Sequence, residues 1–544
     1  MEELQFFKKI FSYYFTLAFM TTIFVVVSCQ FDIEILLNFI ENCLFAVLIS
    51  LPSYFIVNAK IRYFYDLLAF VLFSFTIFLE SVYYLLFQVF FSASSIFVLM
   101  ESNSNEAAEF ITAYIEFHEI IFIICFVLLL FYCLKTLKRV RPQLKPITRS
   151  MSVACGLTML FLVLCLKFSK LIVYNFPYLF TKSVVEYYHT SKSFDGYSNN
   201  STGDFTNIKT QNDAKNPVFV LIIGESTVRS HMQLYGYERL TTPRLSNISN
   251  DLLVYNDVIS PHVLTVESIA KMLTLSNYEA NYKPTVGTIL QLANASNYST
   301  FWLSNQRPIG VFESLITKIA LSASQTKFVT TAHGQHNRTL DQVLLPELDR
   351  ILTTANSGPK FIVMHLMGAH FKYKNRYPDS LNTAFSPPNS AVKPTAKQML
   401  TYQYDCAILN TDYVISEVVK SANKYAKNSA VLYVSDHGEE LDNLERRGHN
   451  EDFATKSMYD IPLLLWRSKE YKENTSLFFD ANRPYMTDDL FHSLAQLLKI
   501  KANQVDSTRS IFSKYYQKRR RVILQTEDYD VKFNNQDPQT DYKR

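Results

Sequence analysis

Long apolar runs crowd the first third of the chain, whereas short apolar runs alternate with amphipathic stretches over the remainder. A helix needs roughly 20 mostly apolar residues to cross a bilayer. Runs of that order stand at Phe11–Cys29, Leu36–Val57, Leu67–Phe90, Ile120–Leu134 and Val153–Phe168, the fourth reaching full length when begun near Phe117. They predict five membrane helices over residues 1–170. From Pro217 onward the pattern shortens. Val218–Ile223, Thr300–Ser304, Lys360–Leu366 and Ala430–Ser435 read as buried strands of a parallel sheet. Thr265–Leu275, Thr339–Thr353 and Lys397–Lys424 carry helical patterns between and after them. The second part, residues 215–513, is therefore expected to be an α/β domain.

Charge adds a direction to the membrane part, because short cytoplasmic loops collect Lys and Arg. Lys8 and Lys9 precede the first run, and Lys60 and Arg62 separate the second from the third. Lys135, Lys138, Arg139, Arg141, Lys145 and Arg149 separate the fourth from the fifth. The opposite loops, Gln30–Ile33 and roughly Phe91–Phe117, contain neither residue. The alternation puts everything after the fifth helix on the far side of the membrane. The first run lacks a small-residue cleavage pattern and reads as a retained anchor. A formal net charge of +4, much of it in these loops, argues for topology and against a nucleic-acid partner. Six of the seven cysteines lie in or beside the spans, which leaves Cys406 alone in the exported domain and excludes a disulfide framework there. Residues 171–214 begin aromatic and end in Ser, Asn and Gly, as a surface helix and linker would; packing on the soluble domain is the alternative. Residues 514–544, with the basic run Lys518–Arg521, read as a polar tail.

Three predicted strands run into clusters of polar groups. The first ends at Gly224-Glu225-Ser226 and the fourth at Asp436-His437-Gly438-Glu439, while the third carries His365 and leads to His370. Ligands of open α/β sheets bind beyond the carboxyl ends of the strands. A single such residue is more often a cap or an ion-pair partner, but three clusters on one rim form a set suited to Zn²⁺, with Mn²⁺ as the second choice. By position alone, Ser226 and Thr227 are the nearest nucleophiles.

At this point the sequence resembles the phosphoethanolamine transferases of the alkaline phosphatase/sulfatase superfamily. The resemblance rests on VFVLIIGESTVRSHMQLYGYERLTTPRL (218–245), NDVISPHVLTVESIAKMLT (256–274), FWLSNQ (301–306), FIVMHLMGAHFKYKNRYP (361–378), YDCAILNTDYVISEVV (404–419), LYVSDHGEEL (432–441) and RGHN (447–450). Five membrane helices ahead of the domain and the loop LMESNSNEAAEF (99–110) fit the same pattern.

The resemblance implies a sulfatase-like α/β sandwich in the periplasm, anchored in a bacterial inner membrane. It further implies a metal held by Glu225, Asp436 and His437, and Thr265 as a nucleophile that also touches the metal. His370 and His449 would bind the substrate phosphate or a second metal ion. The implied reaction moves phosphoethanolamine from phosphatidylethanolamine to a lipopolysaccharide acceptor, lipid A or core sugar. Metal coordination is one of few ways to activate a threonine hydroxyl at neutral pH.

Glu101, Asn103 and Glu106, in the matching loop, would face the donor head group, and Glu109 nearby is a further acidic candidate. Glu34, Glu41 and Glu80, in or near the spans, are expensive in lipid and hence functional candidates. His231, His333 and His336 read as surface or hydrogen-bonding histidines. A glycerophosphate transferase using phosphatidylglycerol is the nearest rival, and a non-catalytic membrane scaffold the second. A true sulfatase would need Cys or Ser at position 265.

Overall fold

The structure is a computed structural model of the 544-residue chain. It describes residues 2–29, 31–92, 95–96, 100, 115, 117–137, 148–193, 200–211, 216–279, 286–306, 315–329, 339–354, 358–385, 394–443 and 448–534. The chain divides into two compact units, residues 1–99 with 107–187 and residues 100–106 with 188–544.

In the first unit, helices α1 (Glu2–Ser28), α2 (Ile33–Ser50), α3 (Ala59–Phe87), α4 (Phe117–Leu137) and α5 (Arg149–Phe168) match the five expected apolar runs, although the second run continues past α2 through a 3-10 turn, Leu51–Phe55, and the third run past α3 to Phe90. Among the described residues, five spans, Ile10–Ser28, Ile33–Phe55, Ala59–Phe87, Phe117–Lys135 and Arg149–Phe168, are long and apolar enough to cross a membrane. The third starts eight residues before the apolar run does. Asn58 caps it by accepting from the Lys60 and Ile61 N–H groups at 2.9 and 3.2 Å, so Arg62 and Asp66 join its first turns. Tyr14, Phe70 and Phe73 pack in the bundle interior, with Tyr14 edge-on to Phe73 at 4.9 Å between ring centres. Phe75, Leu128, Phe131 and Phe161 are exposed. Hydrocarbon surroundings make that arrangement inexpensive, whereas water would oppose it. A further helix, α6 (Phe176–Ser193), follows α5.

The second unit is built on a seven-stranded sheet. Its strands are β1 (Val218–Gly224), β2 (Leu252–Tyr255), β3 (Ser299–Ser304), β4 (Gln325–Phe328), β5 (Lys360–His365), β6 (Ser429–Ser435) and β7 (Leu463–Arg467). The order across the sheet is β2-β7-β6-β1-β5-β3-β4. The four expected strands are central and mutually parallel. β4 continues the parallel pairing at one edge, and β7 and β2 close the other edge antiparallel. Both faces of β1 are covered. Phe219, Leu221 and Ile223 pack with α7 (Thr265–Leu273) through Ile269, Met272 and Leu273. Val218, Val220 and Ile222 pack with α8 (Leu345–Thr353) and α9 (Ala396–Tyr425). A strand buried on both faces has no polar side to alternate with, which explains its continuous apolar sequence.

The expected helix Thr339–Thr353 divides into a 3-10 turn, Asp341–Leu344, and α8, with Pro346 in the first turn of α8. Proline fits there because those N–H groups have no intrahelical acceptor. Two stretches read as linker and tail belong to the α/β fold. Phe205 enters its core, and Lys209–Thr210 pairs with Ile500–Lys501. Val522–Ile523 pairs with Glu527–Asp528, and Arg521 is buried against Asp257 and Asp530. Arg519 and Arg521 of the basic run are thus largely buried against acidic partners, among them the distant Glu279 and Asp257, while Lys518 and Arg520 stay mostly exposed.

Candidate active site

The register of the central strands builds the site. Ile223 pairs with His365 and Gly224 with Ser435, so the segments after β1, β5 and β6 leave the sheet side by side. The Asp436 N–H donates to Gly224 O at 3.1 Å, and the Ala369 N–H donates to Glu225 O at 3.0 Å. Gly368 permits that approach. A Cβ there would stand 2.7 and 2.8 Å from the Glu225 backbone, and its φ of +49° suits glycine.

Glu225, Asp436 and His437 are fully buried, and their ligand atoms lie within 4.8 Å of one another. Glu225 Oε1 accepts from Ser226 Oγ at 2.7 Å and lies 3.2 Å from His437 Nε2. Asp436 Oδ1 accepts from the His437 and Ser226 N–H groups at 2.7 and 3.1 Å. Its Oδ2 is 3.5 Å from His437 Nε2 but has no hydrogen-bond donor among the described residues. His437 Nδ1 donates to Gly438 O at 2.8 Å, which turns Nε2 toward the carboxylates.

Burial, reinforced by the charge of Glu225, pushes Asp436 up to about 8. Burial also works to raise Glu225, but the hydrogen bond and charge of His437 outweigh it and hold Glu225 well below its ordinary value. Burial opposes the charge on His437, yet Asp436 and Glu225 raise it to about 10. Two buried carboxylates and one imidazole converge there, with an orphaned oxygen among them. The residues fit a divalent cation held by N and O donors.

Thr265 opens α7 and is only partly buried. Its Oγ1 donates to Glu225 Oε2 at 3.2 Å and lies 3.3 Å from His437 Nε2. The first N–H groups of a helix have no intrahelical acceptor and suit a phosphate. Ser226 and Thr227, the nearer hydroxyls in sequence, are fully buried. Ser226 Oγ is engaged with Glu225, and Thr227 Oγ1 lies between Glu225 O at 3.3 Å and the Tyr433 hydroxyl at 3.1 Å. Ser226 also takes a φ of 52°, and its carbonyl accepts from the Tyr404 hydroxyl at 2.7 Å.

His449 joins the site from the other side. Its ring centre is 4.2 Å from that of His437, and Glu439 Oε2 stands 2.7 Å from its Nδ1. His437, Glu439 and His449 form a second group of potential ligands. His370 enters neither ligand group among the described residues. Burial, aided by Arg376 and opposed by Glu225, pushes it down to about 3, so it is a neutral imidazole. His365 is also outside both groups, with Nδ1 3.4 Å from Ser304 Oγ, and burial pushes it down to about 4. His231 pairs with Asp405 at 2.8 Å. Glu101, Asn103, Glu106, Glu109, His333 and His336 lie outside the described residues.

Sequence reasoning missed the groups that hold the ligands. Gln306 Nε2 donates to Glu225 Oε2 at 2.9 Å and to Leu366 O at 3.0 Å. The Tyr373 hydroxyl donates to Glu439 Oε1 at 2.5 Å, and Asp341 accepts from the Met367 and Gly368 N–H groups at 2.8 and 2.9 Å. Gln306 stood inside the FWLSNQ segment, but nothing local assigns its amide to a carboxylate 81 residues away.

A central parallel sheet with carboxylates and imidazoles gathered at its carboxyl end defines the class. The sequence model of the sulfatase family matches residues 217–500, and the chain belongs to that family. Its relatives sharpen the picture. It is 27% identical over 476 residues to phosphoethanolamine transferase EptC of Escherichia coli K12, covering 81% of each chain. The zinc complex of the C-terminal periplasmic domain of Escherichia coli EptC is 28% identical with a TM-score of 0.56, covering 60% of this chain and 93% of that domain. The integral membrane lipooligosaccharide phosphoethanolamine transferase A of Neisseria meningitidis shares the fold, with a TM-score of 0.66 and 18% identity over 93% of this chain and 97% of that one.

Proposed function

We propose that the chain transfers phosphoethanolamine from phosphatidylethanolamine to a lipopolysaccharide acceptor, lipid A or core sugar, by two displacements at Thr265. One observation carries this reading: a partly exposed hydroxyl at a helix N-terminus touches both Glu225 and His437, while its rivals are buried and bonded. The names of the relatives support the phosphoethanolamine group, and the zinc complex of one of them supports zinc.

In the first displacement, Thr265 Oγ1 attacks phosphorus as the bond from phosphorus to the diacylglycerol oxygen breaks. The threonine proton ends on the released diacylglycerol hydroxyl. In the second, an acceptor oxygen attacks phosphorus, the bond to Thr265 breaks and the acceptor's proton returns to the threonine. Glu225, Asp436 and His437 would hold a zinc ion, which when bound supplies positive charge to the threonine oxygen and the phosphoryl group. His449, steadied by Glu439, and neutral His370 are assigned to the phosphoryl oxygens or a second ion. Five membrane-capable helices suit a lipid donor, and the loop charges support a periplasmic catalytic domain in a bacterial inner membrane.

Intact-mass spectrometry of detergent-purified protein incubated with zinc and phosphatidylethanolamine tests the reading. A phosphoethanolamine adduct is expected on the wild type and none on Thr265→Ala. An adduct that survives the substitution, or a glycerophosphate adduct formed from phosphatidylglycerol instead, overturns it.

A further inference from the structure

The loop that ends at Thr265 and the loop that carries His449 are joined by side chains with no part in the chemistry above. His262, three residues before Thr265, sets Nδ1 2.5 Å from Glu451 Oε1, and its Nε2 is 3.0 Å from the Tyr278 hydroxyl. The His262 and Glu451 side chains are each only 13% exposed. Glu451 follows His449 by two residues and opens the 3-10 turn Glu451–Phe453, which Asn450 caps by accepting from the Asp452 N–H at 2.9 Å. A shift of Glu451 therefore carries the backbone of His449 with it.

Both imidazole nitrogens are used. With Nδ1–H donating to the carboxylate, Nε2 accepts from the tyrosine hydroxyl, and the link to Glu451 belongs to the short, charge-assisted class. An exposed ion pair would contribute little. This one is mostly sheltered from water and bridges residues 189 positions apart. Glu439 holds His449 Nδ1 at 2.7 Å, so the loop is fixed at two points.

We infer that His262 is a positioning residue for the transfer: through Glu451 it sets where His449 stands relative to the nucleophile Thr265. The inference rests on the roles proposed for Thr265 and His449. A misplacement of about 1 Å at a reacting centre can cost on the order of 10²-fold in rate, so a link of this kind matters without touching substrate.

The test follows the rate of adduct formation by quenched-flow mass spectrometry, using full-length protein in detergent with zinc and phosphatidylethanolamine. His262→Ala is expected to slow the step by roughly 10- to 100-fold while the lipid concentration at half-maximal rate changes less than about twofold. His262→Asn, whose amide N–H can take the place of Nδ1–H, should recover most of the loss. Glu451→Ala should match His262→Ala, and the double variant should be no slower than either single one, because both remove the same link. Losses that multiply in the double variant, or an unchanged rate in His262→Ala, overturn the inference.

If the wild type forms no adduct from any lipid, the functional reading fails, and hydrogen exchange over residues 448–453 decides on the link by itself. Exchange there should accelerate about tenfold or more in His262→Ala and stay unchanged in Lys472→Ala, whose partner is the distant Asp251. Unchanged protection in His262→Ala removes the link.

Discussion

Each unit of the chain buries a pair of glutamate or aspartate side chains, and the two pairs are answered differently. In the membrane unit, Glu80 Oε2 accepts from the Asn38 and Asn42 amides at 2.9 and 3.0 Å, and its Oε1 accepts from the Phe176 N–H at 3.3 Å. Glu41 Oε1 accepts from Asn175 at 2.8 Å, while its Oε2 has no donor among the described residues. Those donors are neutral and come from α2, from the turn after α5 and from the start of α6, so the pair acts as a cross-link. In the catalytic unit, Glu225 and Asp436 face an imidazole and a hydroxyl, and one Asp436 oxygen has no donor among the described residues. An orphaned oxygen therefore stands in each pair, and what sets the catalytic pair apart is the imidazole and the hydroxyl that converge on it as N and O donors suited to a cation. Burial of a carboxylate alone therefore does not mark a reactive site; the character of its partners does.

The largest effect expected from this contrast is at Asp436. Asp436→Asn should remove bound zinc, read by elemental analysis of the purified protein, and slow adduct formation by about 10²- to 10³-fold or more. Chelation should reproduce the loss and lower the thermal midpoint of the catalytic unit, since a ligand held at about a thousand times its Kd contributes about 4 kcal/mol. Full activity after chelation would break the comparison on the catalytic side. On the membrane side the effect should fall on stability instead. Glu80→Gln trades one acceptor oxygen for an unmatched donor and should cost about 1–3 kcal/mol, seen as a lower unfolding midpoint with adduct formation within about threefold of wild type. Lost adduct formation at an unchanged midpoint would make Glu80 part of the donor path.

The same contrast explains what could be read in advance. Glu225, Asp436 and His437 were legible because each directly follows a continuous apolar run, and a parallel strand buried on both faces announces its own end. Thr265 was legible only through resemblance, since position alone favours Ser226 and Thr227 and only the fold shows that both hydroxyls are buried and bonded. The edge strand Gln325–Phe328 escaped because it is short and only partly covered, and Leu463–Arg467 because a brief apolar run does not declare its direction. Arg521 looked solvated because Asp257 stands 264 residues away. Gln306 and His262 were invisible for the same reason, and Glu439 stood in a strand-end cluster without its link to His449: each acts on a residue that only the fold brings near.

A base whose charge burial disfavours loses stability as pH falls, the opposite sign to an acid that burial raises, and His492 on the helix α10 (Leu490–Leu497) isolates that smaller effect. Its ring is buried, and its Nδ1 accepts from the Asp506 N–H at 3.2 Å, so the lone pair that would take a proton is in use. Burial, with Arg509 adding to it, pushes the group down to about 3. In the unfolded chain it titrates near its ordinary value of about 6.5. As pH falls below that value the unfolded state gains a proton that the folded state refuses. Stability tied to this group is therefore whole above about 6.5 and declines toward 3, by at most about 1.4 kcal/mol per pH unit. His492→Asn keeps an acceptor for the Asp506 N–H but cannot be protonated in this range. Denaturant midpoints of the two full-length proteins between pH 7 and 5 should converge as pH falls, the variant showing the shallower slope. Parallel slopes would mean that His492 takes its proton in the folded state, and that Nδ1 does not serve as the acceptor for the Asp506 N–H.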